Sequence, residues 1–213
     1  MICFLAAVKE EILPILSLFS IEKCLNFKGK PVWVGKYKKE DLIFGQMGIG
    51  IVNAAHLSTV LLEKFPINLV FIVGCAGGFP EKNLNIGDIV LAEEEVLADA
   101  IFPFYQKFSL DLEKIILKIP SSFHFKKGLF LTVSSTTKDK NRLKELKNLY
   151  PQAICENMEG ASVVQICKIY SVPCIEIRGI SNIVGEYNKK NWNIELAVKN
   201  CKSFIKELIE KLC

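Results

Sequence analysis

QAICENMEGASVVQICKIY, residues 152–170, carries the chain from a predicted strand into a predicted helix, and the remaining elements can be arranged around this segment. Gln152 to Cys155 is a short, largely apolar run, and the apolar residues after the polar turn recur at helical spacing. Glu156 and Glu159 lie in the turn, and Glu159 falls near the helix N-terminus, where the dipole and free amides favour an anion. On this segment alone the carboxylates are either ordinary first-turn charges or members of a site.

The same alternation of strand and helix recurs along the chain. Apolar runs at residues 2–8 and 69–73 are typical of strands buried on both faces, and residues 32–46 resemble a hairpin. Helical periodicity occupies residues 10–19, 51–65, 110–119, 139–149 and 191–212. This order predicts an α/β fold, a three-layer α/β/α sandwich with a central mixed β-sheet, formed by a single domain over residues 1–213.

Several predicted strands end in polar or glycine-rich turns. Glu11 follows the first strand, GQMGIG opens a helix at residues 45–50, GCAGG ends a strand at residues 74–78, and Ser181 and Asn182 follow the last strand. Three glycines in five residues indicate that the backbone comes close to a ligand or to another segment. The spacing is not that of a dinucleotide site, and no Walker lysine is present. Because α/β sheets bind ligands beyond the carboxyl ends of their strands, we expect these turns to share one crevice.

Composition argues against several classes of function. Lys and Arg exceed Asp and Glu only by 27 to 23 and are scattered, so a nucleic-acid surface is not expected. The eight cysteines include no C-x-x-C pair, which suggests reduced thiols in the cytoplasm. No apolar run has membrane-spanning length, and the first residues resemble a core strand and not a signal peptide. The two histidines lack partners at ligand spacing, so we expect no metal and no other cofactor.

Six motifs in order resemble the purine nucleoside phosphorylase and nucleosidase superfamily over nearly the whole chain. They are AVKEE (7–11), GIG (48–50), GCAGGF (74–79), NIGDIV (85–90), MEGA (158–161) and RGISN (178–182). Within that superfamily, the short length, the ENMEGA variant, the ISN ending and Trp192 with Ala197 are most similar to the futalosine hydrolases. The resemblance therefore implies an enzyme of menaquinone biosynthesis that releases hypoxanthine from the nucleoside futalosine and leaves dehypoxanthine futalosine.

The resemblance also implies a role for individual residues. Glu11 matches the glutamate that activates the attacking water, and Glu159 matches the one that binds the ribose hydroxyls. Met158 packs against the sugar, and Asn182 meets the N7 edge of the purine. The remaining substrate-binding residues are Arg178 and Ser181, which support the base-edge loop, Asn157, and the backbone of Cys75, Ala76 and Gly77. Glu156 is then expected to be part of the scaffold.

Physical chemistry gives these roles an independent reason. Cleavage of an N-ribosidic bond builds positive charge on the ribose and negative charge on the base, so carboxylates belong at the sugar and a donor at the purine. Related methylthioadenosine nucleosidases carry Asp where this chain has Asn182. The amide donates to N7 or O6, which are both acceptors in hypoxanthine, so Asn182 favours a 6-oxopurine.

Water is expected to be the nucleophile. Phosphorylases of this superfamily hold phosphate largely with arginines from the first half of the chain, whereas the only arginines here are Arg142 and Arg178. Lysine can also bind phosphate, so a purine or uridine nucleoside phosphorylase stays an alternative. So does a nucleosidase for methylthioadenosine/S-adenosylhomocysteine or for aminodeoxyfutalosine, and a non-catalytic nucleoside-binding protein is the alternative outside the enzymes.

Three questions stay open at this point. Adenine nucleosidases carry an aromatic residue that stacks on the base in the loop equivalent to residues 134–137, which here reads SSTT. The resemblance implies a homodimer in which Phe102 or Phe104 completes the neighbouring site, and a local core role for these residues is an equal alternative. A lysine is expected to bind the acidic tail of the substrate, but the sequence does not identify which one.

Overall fold

The computed structural model describes residues 1–99, 107–186 and 188–213. The strands are β1 (Ile2–Ala6), β2 (Ser20–Phe27), β3 (Lys30–Tyr37), β4 (Glu40–Gln46), β5 (Leu69–Gly78), β6 (Ile89–Leu97), β7 (Lys107–Ser109), β8 (Phe125–Thr132), β9 (Ala153–Asn157) and β10 (Cys174–Ile183). The helices are α1 (Lys9–Leu16), α2 (Ile51–Lys64), α3 (Glu113–Ile116), α4 (Lys140–Leu149), α5 (Gly160–Ile169) and α6 (Ile194–Leu212). Phe102 and Phe104 lie outside the described residues.

The predicted central mixed sheet is confirmed. Part of it closes into a ring of strands, which the sequence did not indicate. The strand order is β10-β6-β8-β9-β5-β1-β4-β3-β2, and β7 pairs with β6. Because β10 also pairs with β5, the strands β5, β9, β8, β6 and β10 form a closed ring. The hairpin predicted at residues 32–46 is the antiparallel pair β3 and β4, and β2 adds an edge strand that the sequence pattern had not indicated.

Helices cover both faces of the sheet, as the alternation of apolar side chains on β1 shows. Cys3 and Leu5 belong to the core under α2 and α5, whereas Ile2, Phe4 and Ala6 belong to the core under α1 and α6. Successive side chains of a strand point to opposite faces, so the continuous apolar run is the pattern that a two-sided core requires. The predicted layers are therefore observed.

Two predicted helices were wrong in their extent. The helix expected over residues 110–119 is a single turn, Glu113–Ile116. The last helix begins at Ile194 and not at residue 191, because the Asn193 side chain accepts a hydrogen bond from the Leu196 N–H and caps it. Residues 189–191 form a 3₁₀ turn instead.

Strand direction determines where the predicted site residues meet. β1, β5 and β10 run parallel to one another, so the turns after β1 and the last residues of β5 and β10 lie at one edge. β9 runs antiparallel to β5, and its Glu156 pairs in register with Gly77. The carboxyl end of β9 therefore reaches the same edge from the opposite direction. None of the described helices is sufficiently long and apolar to span a membrane.

Candidate active site

A cavity of about 180 Å³ lies at this edge of the sheet. Nine of the ten residues that the sequence placed at the substrate line it, and the exception is Arg178, which is buried behind it. The lining residues are Ala7, Val8, Glu11, Ile49, Cys75, Ala76, Gly77, Val133, Thr136, Glu156, Asn157, Met158, Glu159, Ser181, Asn182, Trp192 and Ile194. Segments that are far apart in the sequence thus meet in one place, while the individual roles of these residues stay predictions.

Glu11 is fixed by backbone amides at the start of α1. Its Oε2 accepts hydrogen bonds from the N–H groups of Ala7 and Val8 at 3.1 and 3.2 Å, and its Oε1 accepts one from Cys75 N–H at 2.8 Å. Burial raises the pKa of Glu11, and Arg178 partly offsets this rise because a nearby positive charge favours the ionised form. A carboxylate with a raised pKa is suited to take a proton from water near neutral pH.

A glycine in the middle of β5, Gly74, makes room for this carboxylate. Gly74 has φ +154°, and a Cβ atom added there would lie 2.5 Å from Glu11 Oε1 and 3.0 Å from Arg178 Nη1. Such contacts are too short for any side chain, so the position requires glycine. The sequence predicted that the backbone of the glycine cluster comes close to a ligand or to another segment. At Gly74 the groups that come close are the side chains of Glu11 and Arg178.

Glu159 stands at the N-terminus of α5, close to the turn that opens α2. Its Oε1 accepts a hydrogen bond from Gly50 N–H at 3.0 Å, and its Oε2 lies 3.8 Å from Arg178 Nη1. Its own N–H donates to Asn157 Oδ1 at 2.9 Å, which fixes the backbone at the helix start. The two alternatives for Glu159 are thus compatible, because a residue at the helix N-terminus also presents its carboxylate to the cavity.

Arg178 is the cation that links the carboxylates from behind the cavity. Its Nε donates to Glu176 Oε1 at 2.8 Å and its Nη1 donates to the Cys75 carbonyl at 3.3 Å, while Nη2 has no partner in the described part of the chain. Its side chain is 1% exposed. Burial lowers the pKa of Arg178, but Glu176, Glu159 and Glu11 outweigh this and raise it, so the guanidinium stays charged.

A buried carboxyl pair that the sequence reasoning missed supports Arg178. Glu95 and Glu176 are both fully buried, and a Cβ atom added at Gly160 would touch both carboxyl groups, so the two carboxyl groups are neighbours. Burial raises the pKa of Glu95 well above its ordinary value, and the charge of Glu176 raises it further. Glu95 also accepts hydrogen bonds from Asn157 and Thr132. The sequence feature that could have identified this pair is a charged residue inside an apolar strand, because such a residue needs a buried partner.

Asn182 is presented to the cavity by an irregularity in β10. The register of β10 against β5 shifts between Ile180 and Asn182, and a bulge of this kind turns side chains toward a site. The Ser181 hydroxyl hydrogen-bonds to Asn182 Oδ1 at 2.9 Å. The Ile183 carbonyl, 3.3 Å from Nδ2, can only accept a hydrogen bond, so it assigns the nitrogen of the amide to that side and the oxygen to the Ser181 side. Asn182 therefore offers a donor at this end of the cavity.

The loop equivalent to the base-stacking loop contributes no aromatic ring, as its sequence indicated. Val133 and Thr136 line the cavity from this loop, and Trp192 supplies an aromatic ring from the segment before α6. That segment is tied to the site because Asn193 N–H donates to the Ser181 carbonyl at 2.8 Å. The indole Nε1 of Trp192 is buried and has no partner among the described residues.

Glu156, which the sequence suggested to be a scaffold residue, also lies at the cavity. It lines the cavity, and only one of its carboxylate oxygens has a hydrogen-bond partner within the described residues. The sequence could not show this, because Glu156 reaches the cavity through the pairing of β9 with β5. Cys75 also lines the cavity, but burial and the charge of Glu11 raise the pKa of its thiol, so it is not a nucleophile.

Residues that could hold a metal ion are not grouped in the part of the chain that the structure describes. No cluster of three or more His, Cys, Asp or Glu side chains has a suitable arrangement there. All eight cysteines are free thiols, and five of them are buried. The polar groups at the cavity are thus carboxylates, amides and hydroxyls, which suit hydrogen bonding to a sugar and a base.

Comparison with known proteins identifies the family. Residues 1–210 match the Phosphorylase superfamily. A 5'-methylthioadenosine/S-adenosylhomocysteine nucleosidase of Bacillus thuringiensis is 28% identical, with 99% of each chain covered. A futalosine hydrolase mutant of Helicobacter pylori and a 5'-methylthioadenosine/S-adenosylhomocysteine nucleosidase of the same organism, with butyl-thio-DADMe-Immucillin-A, each show 25% identity and a TM-score of 0.90. They cover 99% of this chain, and the aligned regions span 98% and 97% of those structures, respectively.

These similarities identify the general type of activity but do not distinguish between the possible substrates. Relatives named for methylthioadenosine and for futalosine resemble this chain to the same degree. What they share, by their names, is that both are hydrolases of nucleosides. The chain therefore belongs to the Phosphorylase superfamily, and within it is a nucleosidase, an N-glycosyl hydrolase.

Proposed function

We propose that this nucleosidase hydrolyses the N-ribosidic bond of futalosine, releasing hypoxanthine and leaving dehypoxanthine futalosine in menaquinone biosynthesis. The observation that carries the proposal is the orientation of Asn182. Its Oδ1 accepts from the Ser181 hydroxyl and its Nδ2 donates one hydrogen to the Ile183 carbonyl, so the second hydrogen of Nδ2 is left to donate to a base. Hypoxanthine presents acceptors at N7 and O6, whereas adenine presents a donor, its amino group, beside N7. The amide donor therefore fits a 6-oxopurine.

Glu11 acts as the general base in this proposal. Backbone amides fix both of its oxygens: Oε2 accepts two hydrogen bonds, whereas Oε1 accepts one and retains a lone pair that can accept a hydrogen bond from water. As water attacks the anomeric carbon, Glu11 takes its proton. Because the carboxylate is already held in one position, little conformational entropy is lost when it reaches the reactive geometry.

Glu159 binds the ribose hydroxyls and stabilises the positive charge that develops on the sugar. Its oxygens are held by Gly50 N–H and by Arg178, so its position is defined before the substrate binds. Met158 lines the cavity beside Glu159, where its apolar side chain is suited to pack on the sugar. A carboxylate in a buried site stabilises positive charge more strongly than one in water.

Water is favoured over phosphate because the arginines are already engaged. Arg178 is buried among carboxylates, and Arg142 forms ion pairs with Asp99 and Glu145. Lys30, near the glycine turn at residues 48–50, donates to the Met47 carbonyl and to Asn53. A phosphorylase needs free cationic donors for its second substrate, and these three cations are occupied by protein groups.

A homodimer in the cytoplasm is also part of the proposal, mainly by resemblance. The start of α2 supports a subunit contact, since Ile49 and Val52 are 56% and 78% exposed and Ile49 lines the cavity. Light scattering on purified protein tests this point. We expect a dimer for the wild type and a monomer with reduced turnover for Val52→Asp; a fully active wild-type monomer would contradict the proposal.

The function is tested by incubating the purified protein with futalosine, inosine and methylthioadenosine, with and without phosphate. The free base is followed by chromatography. Hypoxanthine released from futalosine without phosphate is the expected result. Faster release of adenine from methylthioadenosine would favour the adenine nucleosidase, a requirement for phosphate would favour the phosphorylase, and no release from any substrate would favour a binding protein.

A further inference from the structure

Only one of the two carboxylate oxygens of Glu156 has a hydrogen-bond partner among the described residues. The residue is 4% exposed and lines the cavity. Its Oε1 accepts a hydrogen bond from Thr137 N–H at 2.8 Å, whereas its Oε2 has no partner in the described part of the chain. A role in holding the Thr137 loop explains the first oxygen. It leaves the second oxygen buried and unsatisfied, which is costly unless a ligand supplies a donor.

Glu156 and Asn182 flank the same glycine at one end of the cavity. Glu156 pairs in register with Gly77 across β9 and β5. A Cβ atom added at Gly77 would lie 3.1 Å from Asn182 Nδ2 and 3.6 Å from Glu156 Cγ. The two side chains therefore border one small region of the cavity beside Gly77.

The two groups offer opposite hydrogen-bonding partners. An ionised carboxylate only accepts, and the free nitrogen of Asn182 only donates. A base that binds both must present a donor close to an acceptor. The edge of a 6-oxopurine has this pattern, because N1–H is a donor and the adjacent O6 is an acceptor. In adenine the pattern is reversed, since N1 is an acceptor and the exocyclic amino group is a donor.

We propose that Glu156 is a specificity-determining residue that accepts the N1–H of a 6-oxopurine while Asn182 donates to its O6 or N7. The inference rests on the proposed function and deepens it, because it assigns base selection to two residues. The wild-type carboxylate opposes adenine directly, since its oxygen faces the N1 lone pair. Asn182 alone discriminates less strongly, because an amide can present either a donor or an acceptor when its partners change.

The charges that face Glu156 are compatible with this role. Burial raises the pKa of Glu156 overall and Asp99 adds to the rise, while Thr137 and the Arg142 guanidinium partly offset it by favouring the ionised, accepting form. A ligand N–H at the second oxygen favours the same form.

Glu156→Gln tests the inference because the Thr137 N–H determines how the new amide is oriented. The amide oxygen stays on Thr137, so the NH₂ group takes the place of Oε2 and a donor replaces an acceptor. Titration calorimetry with hypoxanthine and with adenine measures the two affinities without turnover. We expect the hypoxanthine-to-adenine affinity ratio to fall by roughly tenfold or more. Glu22→Gln, an exposed exchange on β2, serves as the matched control and is expected to leave the ratio unchanged.

A second measurement uses the wild-type protein and does not depend on how the variant folds. 1-Methylhypoxanthine lacks the N1–H, and we expect it to bind at least about tenfold more weakly than hypoxanthine. An unchanged ratio in a folded Glu156→Gln protein, or equal affinities for the two hypoxanthines, would overturn the inference while leaving nucleosidase turnover intact. Selective binding of hypoxanthine without turnover of any nucleoside would instead overturn the proposed function.

Discussion

The two ends of the cavity differ in how their polar side chains are satisfied. At the end that we propose for the ribose, called the ribose end, every oxygen of Glu11 and Glu159 has a backbone N–H or Arg178 as a partner. At the end that we propose for the base, called the base end, Glu156 Oε2 and Trp192 Nε1 have no partner among the described residues, and Asn182 Nδ2 has only a long one. The ribose end is thus organised before substrate binds, whereas the base end leaves its hydrogen-bonding capacity to the ligand.

This difference separates catalysis from specificity. Preorganised carboxylates stabilise charge on any ribose, so the ribose end supports hydrolysis whatever base is attached. Unsatisfied donors and acceptors reward only a base whose edge complements them, because a mismatched base leaves them buried and unpaired. Substitutions at the two ends should therefore change different quantities.

The largest effect is expected from Glu11→Gln and Glu159→Gln at the ribose end. Each substitution keeps the size of the side chain and removes the charge, so turnover should fall by roughly 10² to 10⁴-fold on every substrate while the fold remains. Steady-state kinetics measure the loss and circular dichroism checks the fold. Glu10→Gln, at an exposed neighbouring position, is the control. A near wild-type rate in either variant would show that its assigned role is wrong.

Asn182→Asp should change selection between substrates. A protonated Asp can donate to N7 and its other oxygen can accept from the amino group of adenine, so kcat/KM should shift toward adenine nucleosides by roughly tenfold or more. The readout is the ratio of kcat/KM for inosine and adenosine. Asn141→Asp, on the exposed start of α4, should leave this ratio unchanged. The same ratio in Asn182→Asp as in the wild type would count against base recognition by Asn182.

The pH dependence of kcat/KM should report the general base. Burial raises the pKa of Glu11, and the base must be ionised to accept a proton. As the pH falls below this raised pKa, kcat/KM should decrease by about tenfold per pH unit. The decrease should begin at a higher pH than the pKa of an ordinary glutamate would give. The profile should flatten in Glu11→Gln, which has no ionisable group at this position. A wild-type rate that stays constant down to the ordinary glutamate pKa would contradict the assignment.

The smallest effect is expected at Trp192, where two contributions can be separated. Trp192→Leu removes the aromatic ring and the N–H, and Trp192→Phe removes the N–H but keeps a smaller aromatic ring. If the ring packs on the base, Trp192→Leu should raise KM by roughly threefold to tenfold with little change in kcat. A KM that rises equally in Trp192→Phe would assign the effect to the indole N–H, and an unchanged KM in both would exclude Trp192 from base binding.

Much of the fold followed from local patterns. The apolar runs of β1 and β5 identified strands with two covered faces, and the periodicity of α2, α5 and α6 identified the covering helices. The closed ring did not follow, because the pairing of β10 with both β5 and β6 joins segments that are remote in the sequence. The start of α6 was also not predicted, because it depends on a single hydrogen bond to the Asn193 side chain.

Much of the candidate site followed from motifs, which is why Glu11, Glu159 and Asn182 were expected near one another. Glu95, Glu176 and the unsatisfied oxygen of Glu156 were not expected at the site. Their significance depends on which charged groups they meet after folding, and no spacing in the chain encodes that.

The sequence by itself determined most of the strands and helices and their alternation, the superfamily, and the presence of carboxylates and an amide at strand ends. These properties are written in local periodicity and in motifs, so they can be recognised one segment at a time. Only the tertiary structure decided which polar atoms find partners and which stay free for a ligand. Hydrogen bonds and pKa values depend on burial and on neighbours from distant segments, and these exist only once the sheet has closed.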